Sequence, residues 1–242
     1  MILIGHRGAR KEAPENTLGG FRHLRQLGIN HVELDVRLSK DRQLMVLHDT
    51  TVNRTTKDKG SVLDYTAAEL EQMDATIPLP NWPETTGVPR LAAVLDEWPE
   101  LKSIQLEVKT AAPEILLQIG HGLVDLIQQY HLHATAIITS SDQNLLAIMQ
   151  RLAPAIKRGF VAERFTRDPI AVCLNHHCSH LVINHHRCSP ELIAHAHALE
   201  LEVSTWTVNE VNAARRLQHW GVDSIITDVP STLLRHLHVA AE

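Results

Sequence analysis

Short apolar runs bounded by turn residues recur along the chain at 2–4, 32–36, 104–108, 136–139, 156–161, 181–184, 203–208 and 224–227. Each has the length and the branched composition of a β-strand. Between them, at about 17–27, 91–98, 113–130, 143–152, 168–176, 190–200, 210–220 and 231–239, apolar positions return every three to four residues, the helical period. Eight alternating units in 242 residues predict a (β/α)8 barrel of the TIM type. A doubly wound sheet would need fewer strands and a Gly-rich first turn.

One strand pattern is left over, at 44–47, inside a stretch from 40 to 89 that carries Pro78, Pro80 and Pro83. That stretch is too long for a bare loop and predicts a small insertion between strand 2 and helix 2, lying over the barrel mouth. No internal repeat, low-complexity tract or Pro/Gly-rich linker divides the sequence, so residues 1–242 are expected to form one domain. Asn16 or Thr17 can cap the first helix, Ser189–Pro190 can open the sixth, and Gly221 can close the seventh. Val, Ile and Leu are expected to fill the barrel interior.

Charge and composition narrow the function. A formal charge of -5 argues against a broad basic surface for nucleic acid. No run reaches the roughly 20 apolar residues that span a bilayer, and the start MILIGHRG is too short for a secretory apolar region, so a cytoplasmic protein without stable membrane insertion is expected. Three cysteines cannot all pair with one another, and a chain of this length needs no bridges, which predicts reduced thiols.

The informative positions are those that break the core rule. Glu107 and Lys109 share one strand face by the two-residue period, as do Glu33 and Asp35 at the carboxyl end of strand 2. In a barrel those ends converge on the active site. Three carboxylates brought together there repel unless a cation sits among them, and an all-oxygen set suits a hard ion, Mg²⁺ or Ca²⁺, rather than zinc. The competing structural account pairs them with Arg37, Lys109 or Arg7 alone. His6 and Arg7 close strand 1, and His48 with Asp49 closes the extra strand. Two histidines beside a charged site offer an acid and a base, while an Arg fork and a Lys ammonium suit phosphate oxygens.

These residues resemble the glycerophosphodiester phosphodiesterase family. The resemblance rests on ordered motifs from end to end. They are His6–Arg7–Gly8, Pro14–Glu15–Asn16–Thr17, Glu33–Leu34–Asp35–Val36, Lys40–Asp41, His48–Asp49, Arg54–Thr55, Gly60, Glu107–Val108–Lys109, Trp206–Thr207–Val208–Asn209, Gly221–Val222–Asp223 and Thr227–Asp228–Val229–Pro230.

The resemblance implies a barrel with an insertion after strand 2, one divalent cation, and hydrolysis of a small-molecule glycerophosphodiester to sn-glycerol 3-phosphate and an alcohol. By position, His6 and His48 correspond to the acid/base pair. Glu33, Asp35 and Glu107 correspond to metal ligands, Arg7 and Lys109 to phosphate contacts, and Trp206 to a pocket wall. Glu15 and Asn16 resemble family residues near the site, although Asn16 is equally a helix-cap candidate.

A lyase of the sphingomyelinase D type, which uses a similar constellation and stops at a cyclic phosphate, is the first alternative. The second is a non-catalytic phosphate- or metal-binding barrel. The segment 173–197, rich in Cys and His, lacks the paired knuckles of a structural zinc site and is expected to be helix surface and strand ends. Trp82, Trp98 and Trp220 are expected to be packing anchors. Head group, choice between Mg²⁺ and Ca²⁺, and oligomeric state are not readable from sequence.

Overall fold

The computed structural model describes residues 1–163 and 165–237. Among these residues are nine strands and nine α-helices. The strands are β1 (Ile2–His6), β2 (His31–Leu38), β3 (Leu44–Val46), β4 (Ser103–Val108), β5 (Ala136–Ser140), β6 (Lys157–Ala162), β7 (His180–Asn184), β8 (Glu202–Trp206) and β9 (Ser224–Thr227). The helices are α1 (Leu18–Gln26), α2 (Ala67–Gln72), α3 (Leu91–Asp96), α4 (Pro113–Gln129), α5 (Gln143–Leu152), α6 (Pro169–Asn175), α7 (Pro190–Ala198), α8 (Val211–Trp220) and α9 (Pro230–His236).

All strands except β3 pair in parallel, and β1 pairs with both β2 and β9, so the sheet closes into an eight-stranded TIM barrel. β3 extends the sheet antiparallel to the far end of β2. The expected helix at 231–239 is observed as α9, and its positions 238–239 lie outside the described residues. Among the described residues no helix is long and apolar enough to cross a membrane.

Register decides which side chains face inward, and it corrects one expectation. The cross-strand pairs His6–Glu33, Glu33–Gln105, Asp35–Glu107 and Ser204–Ser224 put these residues on the inner face, with Gly159, Val182 and Trp206. The interior therefore holds polar and small groups. Gln105 Nε2 donates to Ser204 Oγ at 2.9 Å, and the Ser204 and Ser224 hydroxyls touch. Its apolar layer is the small cluster Ile4, Val161, Val182 and Ile226 against Trp206.

The long run of Val, Ile and Leu packs instead between barrel and helices: Val32, Leu34, Val36, Ile104, Leu106, Val108, Ile138 and Leu181 are buried there. The period of two assigns alternate residues to opposite faces, and the apolar ones went outward because the helices cover that side.

Between β2 and α3 a separate apolar cluster forms around Met45, Leu47, Val62, Leu70 and Met73. It gives the stretch predicted as an insertion a core of its own and supports the turn that carries His48. Thr17, not Asn16, caps α1: its hydroxyl accepts from Gly20 N–H at 3.0 Å and donates to the Pro14 carbonyl at 2.8 Å. Ser189 caps α7, and Gly221 closes α8 at φ 86°.

Candidate active site

The loop from β1 to α1 is shaped by residues held in a left-handed backbone. Arg7 has φ 51°, Gly8 87° and Asn16 55°, and Asn16 N–H donates to the Arg7 carbonyl at 2.9 Å. Non-Gly residues in this region carry strain that the surroundings must hold in place. Here the loop is held by charge. Glu15, 5% exposed, accepts from Arg7 at 2.9 Å and from both terminal nitrogens of Arg54 at 2.8 and 2.9 Å, with Arg10 3.3 Å away. Burial pushes the Glu15 carboxyl up, but the two bonded guanidinium groups outweigh it and bring it down to about 2.

His6 closes β1, Glu33 and Asp35 lie on β2, and Glu107 lies on β4, with Lys109 following that strand. His48 follows β3 by two residues, and Trp206 closes β8. Seven of the eight sequence-predicted site residues, His6, Arg7, Glu33, His48, Glu107, Lys109 and Trp206, line one cavity of about 410 Å³. The eighth, Asp35, is fully buried. Its carboxylate is held by Arg7 Nε at 3.0 Å, Asn16 Nδ2 at 2.9 Å and Lys109 Nζ at 2.9 Å. The contact to Asp35 is where Asn16 spends its side chain.

Glu33, Asp35 and Glu107 each offer a carboxylate oxygen, all within 4.8 Å of one another. Burial raises the Glu33 carboxyl well above the carboxylate range, and the neighbouring charges of Asp35 and Glu107 add to the rise. Burial also pushes Asp35 up, yet Lys109 and Arg7 outweigh it and hold it below that range. The structural pairing account is thus half present. Lys109 bridges Asp35 and Glu107, and Arg7 pairs with Asp35. Arg37 does not join them; it donates twice to the His48 carbonyl, at 3.1 and 2.9 Å. Among the described residues, the buried Glu33 Oε1 has no hydrogen-bond partner.

Both histidines are held through Nδ1. His48 Nδ1 lies 2.6 Å from Asp49 Oδ1, whose other oxygen accepts from Arg54 Nε at 2.6 Å. Burial lowers the His48 pKa, and Arg7 and Lys109 lower it further against the opposing pull of Asp35. His6 Nδ1 lies 2.6 Å from Asp228 Oδ1, and its Nε2 faces Glu33 Oε2 at 3.8 Å.

Sequence reasoning gave Asp49 and Asp228 no role. Asp49 could have been found from its adjacency to His48, whereas nothing in the chain connects Asp228 to a residue 222 positions earlier. Arg10, Arg37, Gln105 and Glu163 also line the cavity and were not predicted to.

In the segment 173–197, several side chains have found other partners. His176 meets Gln143, His180 meets Glu202, His197 meets Asp223, and the Cys173 thiol lies near the His180 carbonyl. Cys173, Cys178 and Cys188 are buried free thiols. Among the described residues the grouping placed to hold an ion is that of Glu33, Asp35 and Glu107.

A TIM barrel with carboxylates, imidazoles and cationic side chains gathered at its carboxyl-end mouth defines an enzyme of phosphate-ester chemistry. The family model for the glycerophosphoryl diester phosphodiesterase family matches residues 6–232, and the chain belongs to that family.

A glycerophosphodiester phosphodiesterase of Caldanaerobacter subterraneus is 32% identical over 96% of each chain. A solved Oleispira antarctica phosphodiesterase, in complex with the product sn-glycerol-3-phosphate, superposes with a TM-score of 0.89 at 25% identity, covering 98% of this chain and 96% of that one. A solved glycerophosphodiester phosphodiesterase from Agrobacterium tumefaciens gives 0.85 at 26% identity, over 97% and 99% of the two chains.

Proposed function

We propose that this protein hydrolyses glycerophosphodiesters to sn-glycerol 3-phosphate and an alcohol, using one divalent cation, Mg²⁺ or Ca²⁺, with His6 and His48 as the acid/base pair. The observation that carries this reading is the meeting of both imidazoles with Glu33 and Glu107 in one cavity, with Asp35 buried against them. The product bound to the Oleispira relative supports the substrate class.

The donor set fits a hard cation. Three carboxylates from two neighbouring strands offer only oxygen, and Glu33 Oε1 has no hydrogen-bond partner among the described residues. Glu33, Asp35 and Glu107 would hold the ion, which when bound neutralises clustered charge and polarises phosphate oxygens.

The protein groups divide the rest of the chemistry. Arg7 and Lys109 contact phosphate oxygens, and Trp206 walls the glycerol side. One imidazole takes the proton of the glycerol hydroxyl beside the ester, and that oxygen attacks phosphorus. The other imidazole protonates the alcohol oxygen as its bond to phosphorus breaks. A cyclic phosphate results. Water then opens it, with the two imidazoles exchanging roles.

The test is an assay of sn-glycerol 3-phosphate release from a panel of head groups, with phosphorus NMR of the product. Hydrolysis with Mg²⁺ or Ca²⁺, its loss in EDTA and its restoration by added ion are expected. Turnover that survives chelation would remove the ion from the reading. A cyclic end product would move the protein to the lyase class.

A further inference from the structure

The two histidines are anchored by unlike devices. The anchor of His48 is its own chain neighbour, shared with a guanidinium. That of His6 comes from the far end of the chain and is itself locked. Asp228, 4% exposed, places Oδ1 2.6 Å from His6 Nδ1 and accepts on Oδ2 from Asn209 Nδ2 at 2.9 Å. The same Asn209 amide accepts on Oδ1 from Asp228 N–H at 2.9 Å and from the Thr227 hydroxyl at 3.2 Å. Asn209 is therefore clamped to Asp228 at two points, side chain to side chain and side chain to backbone. Both carboxylate oxygens are committed, so Asp228 cannot turn away from the imidazole.

An ionised carboxylate only accepts hydrogen bonds, so Nδ1 of His6 must carry a proton toward Asp228. In the neutral ring that leaves Nε2 as the lone-pair nitrogen. Nε2 is also the nitrogen that faces Glu33. We propose that Asn209 and Asp228 form a positioning pair for His6, fixing its Nδ1–H tautomer and ring orientation so that Nε2 alone exchanges a proton with substrate. The inference rests on the catalytic role of His6 stated above. Asp228 and Asn209 touch no substrate in it; both act through the imidazole.

The experiment has two arms. In the first, the neutral tautomer of His6 is read by nitrogen-15 NMR of the imidazole in the intact wild-type protein, assigned by loss of its signals in His6→Gln. Nδ1–H is expected, and an Nε2–H tautomer overturns the proposal whatever the activity. In the second, Asp228→Asn, which keeps shape but offers an amide N–H to Nδ1, is expected to switch the ring to Nε2–H. It should also lower kcat on the order of 10⁴-fold, with KM held within about threefold, the size of loss a wrong tautomer produces in His–Asp catalysis.

Asn209→Ala leaves the carboxylate in place but loose, and is expected to lower kcat about tenfold without a change of tautomer. If Asp228→Asn does not fold, the wild-type tautomer and Asn209→Ala still decide. Full turnover in either variant overturns the pairing while leaving the proposed reaction intact. Absence of phosphodiester hydrolysis in the wild type removes the reaction without touching the tautomer.

Discussion

At the residue scale, burial and charge act against each other, and the winner differs from site to site. At Glu33 burial wins, with the neighbouring charges of Asp35 and Glu107 adding to it and outweighing the pull of Arg7 and Lys109. At Asp35 and Glu15 cations win. Glu15 has the clearer consequence for stability. Its pKa in the fold is about 2 against an ordinary value of 4.5, so the unfolded chain binds the proton more readily. Its contribution is therefore complete above about pH 4.5 and is lost as pH falls toward 2, a difference on the order of 3 kcal/mol.

Glu15→Gln is expected to lower the urea midpoint at pH 7, with the gap to wild type closing between pH 5 and 2. An equal gap at every pH would show that the guanidinium cluster contributes packing and no charge. For the imidazoles, His6→Ala and His48→Ala should each lower kcat by about 10² to 10⁴, the usual share of general acid/base catalysis, with unchanged far-ultraviolet circular dichroism.

At the element scale, the connection from β1 to α1 does more than join two elements. Thr17 ends the loop by bonding Gly20 and Pro14, which leaves Asn16 free to hold Asp35 and Glu15 free to gather Arg7, Arg10 and Arg54. Gly20 leaves no room for a side chain there, since a Cβ would lie 2.3 Å from the Pro14 carbonyl oxygen. Thr17→Val keeps the volume and removes both hydroxyl bonds. It should lower stability by roughly 1–2 kcal/mol, read as a shift in urea midpoint at constant slope. The sequence showed that Asn16 or Thr17 was a cap but not which, because both side chains can accept from a helix N-terminus. The choice fell to Thr17 once Asp35, on another strand, claimed Asn16.

At the scale of the molecule, the barrel brings β1, β2, β4, β8 and β9 to one mouth, and ligand binding there should stabilise the whole fold. With a divalent ion present, sn-glycerol 3-phosphate at 100 times its Kd is expected to add about 2.7 kcal/mol of stability. For a chain of this length that is a rise in Tm of roughly 5–10 °C. The rise should vanish in EDTA and in Glu107→Ala. A shift that persists in both would locate binding away from the three carboxylates.

The strand and helix succession, and so the barrel, was legible because periods of two and 3.6 are local properties of the chain. Glu33, Asp35, Glu107, Lys109, His6 and His48 were legible because charged or titratable residues at strand ends violate the apolar pattern in full view. The face each strand turns inward was not, since Ile104 and Gln105 exchange places with a shift of one residue, and only pairing with β2 and β5 sets that register. Nor was the Asp228–Asn209 clasp on His6, which exists because β9 returns to lie beside β1 and close the cylinder. Local pattern determines what each segment is. Contacts between segments hundreds of residues apart depend on closure, and closure is a property of the whole sheet.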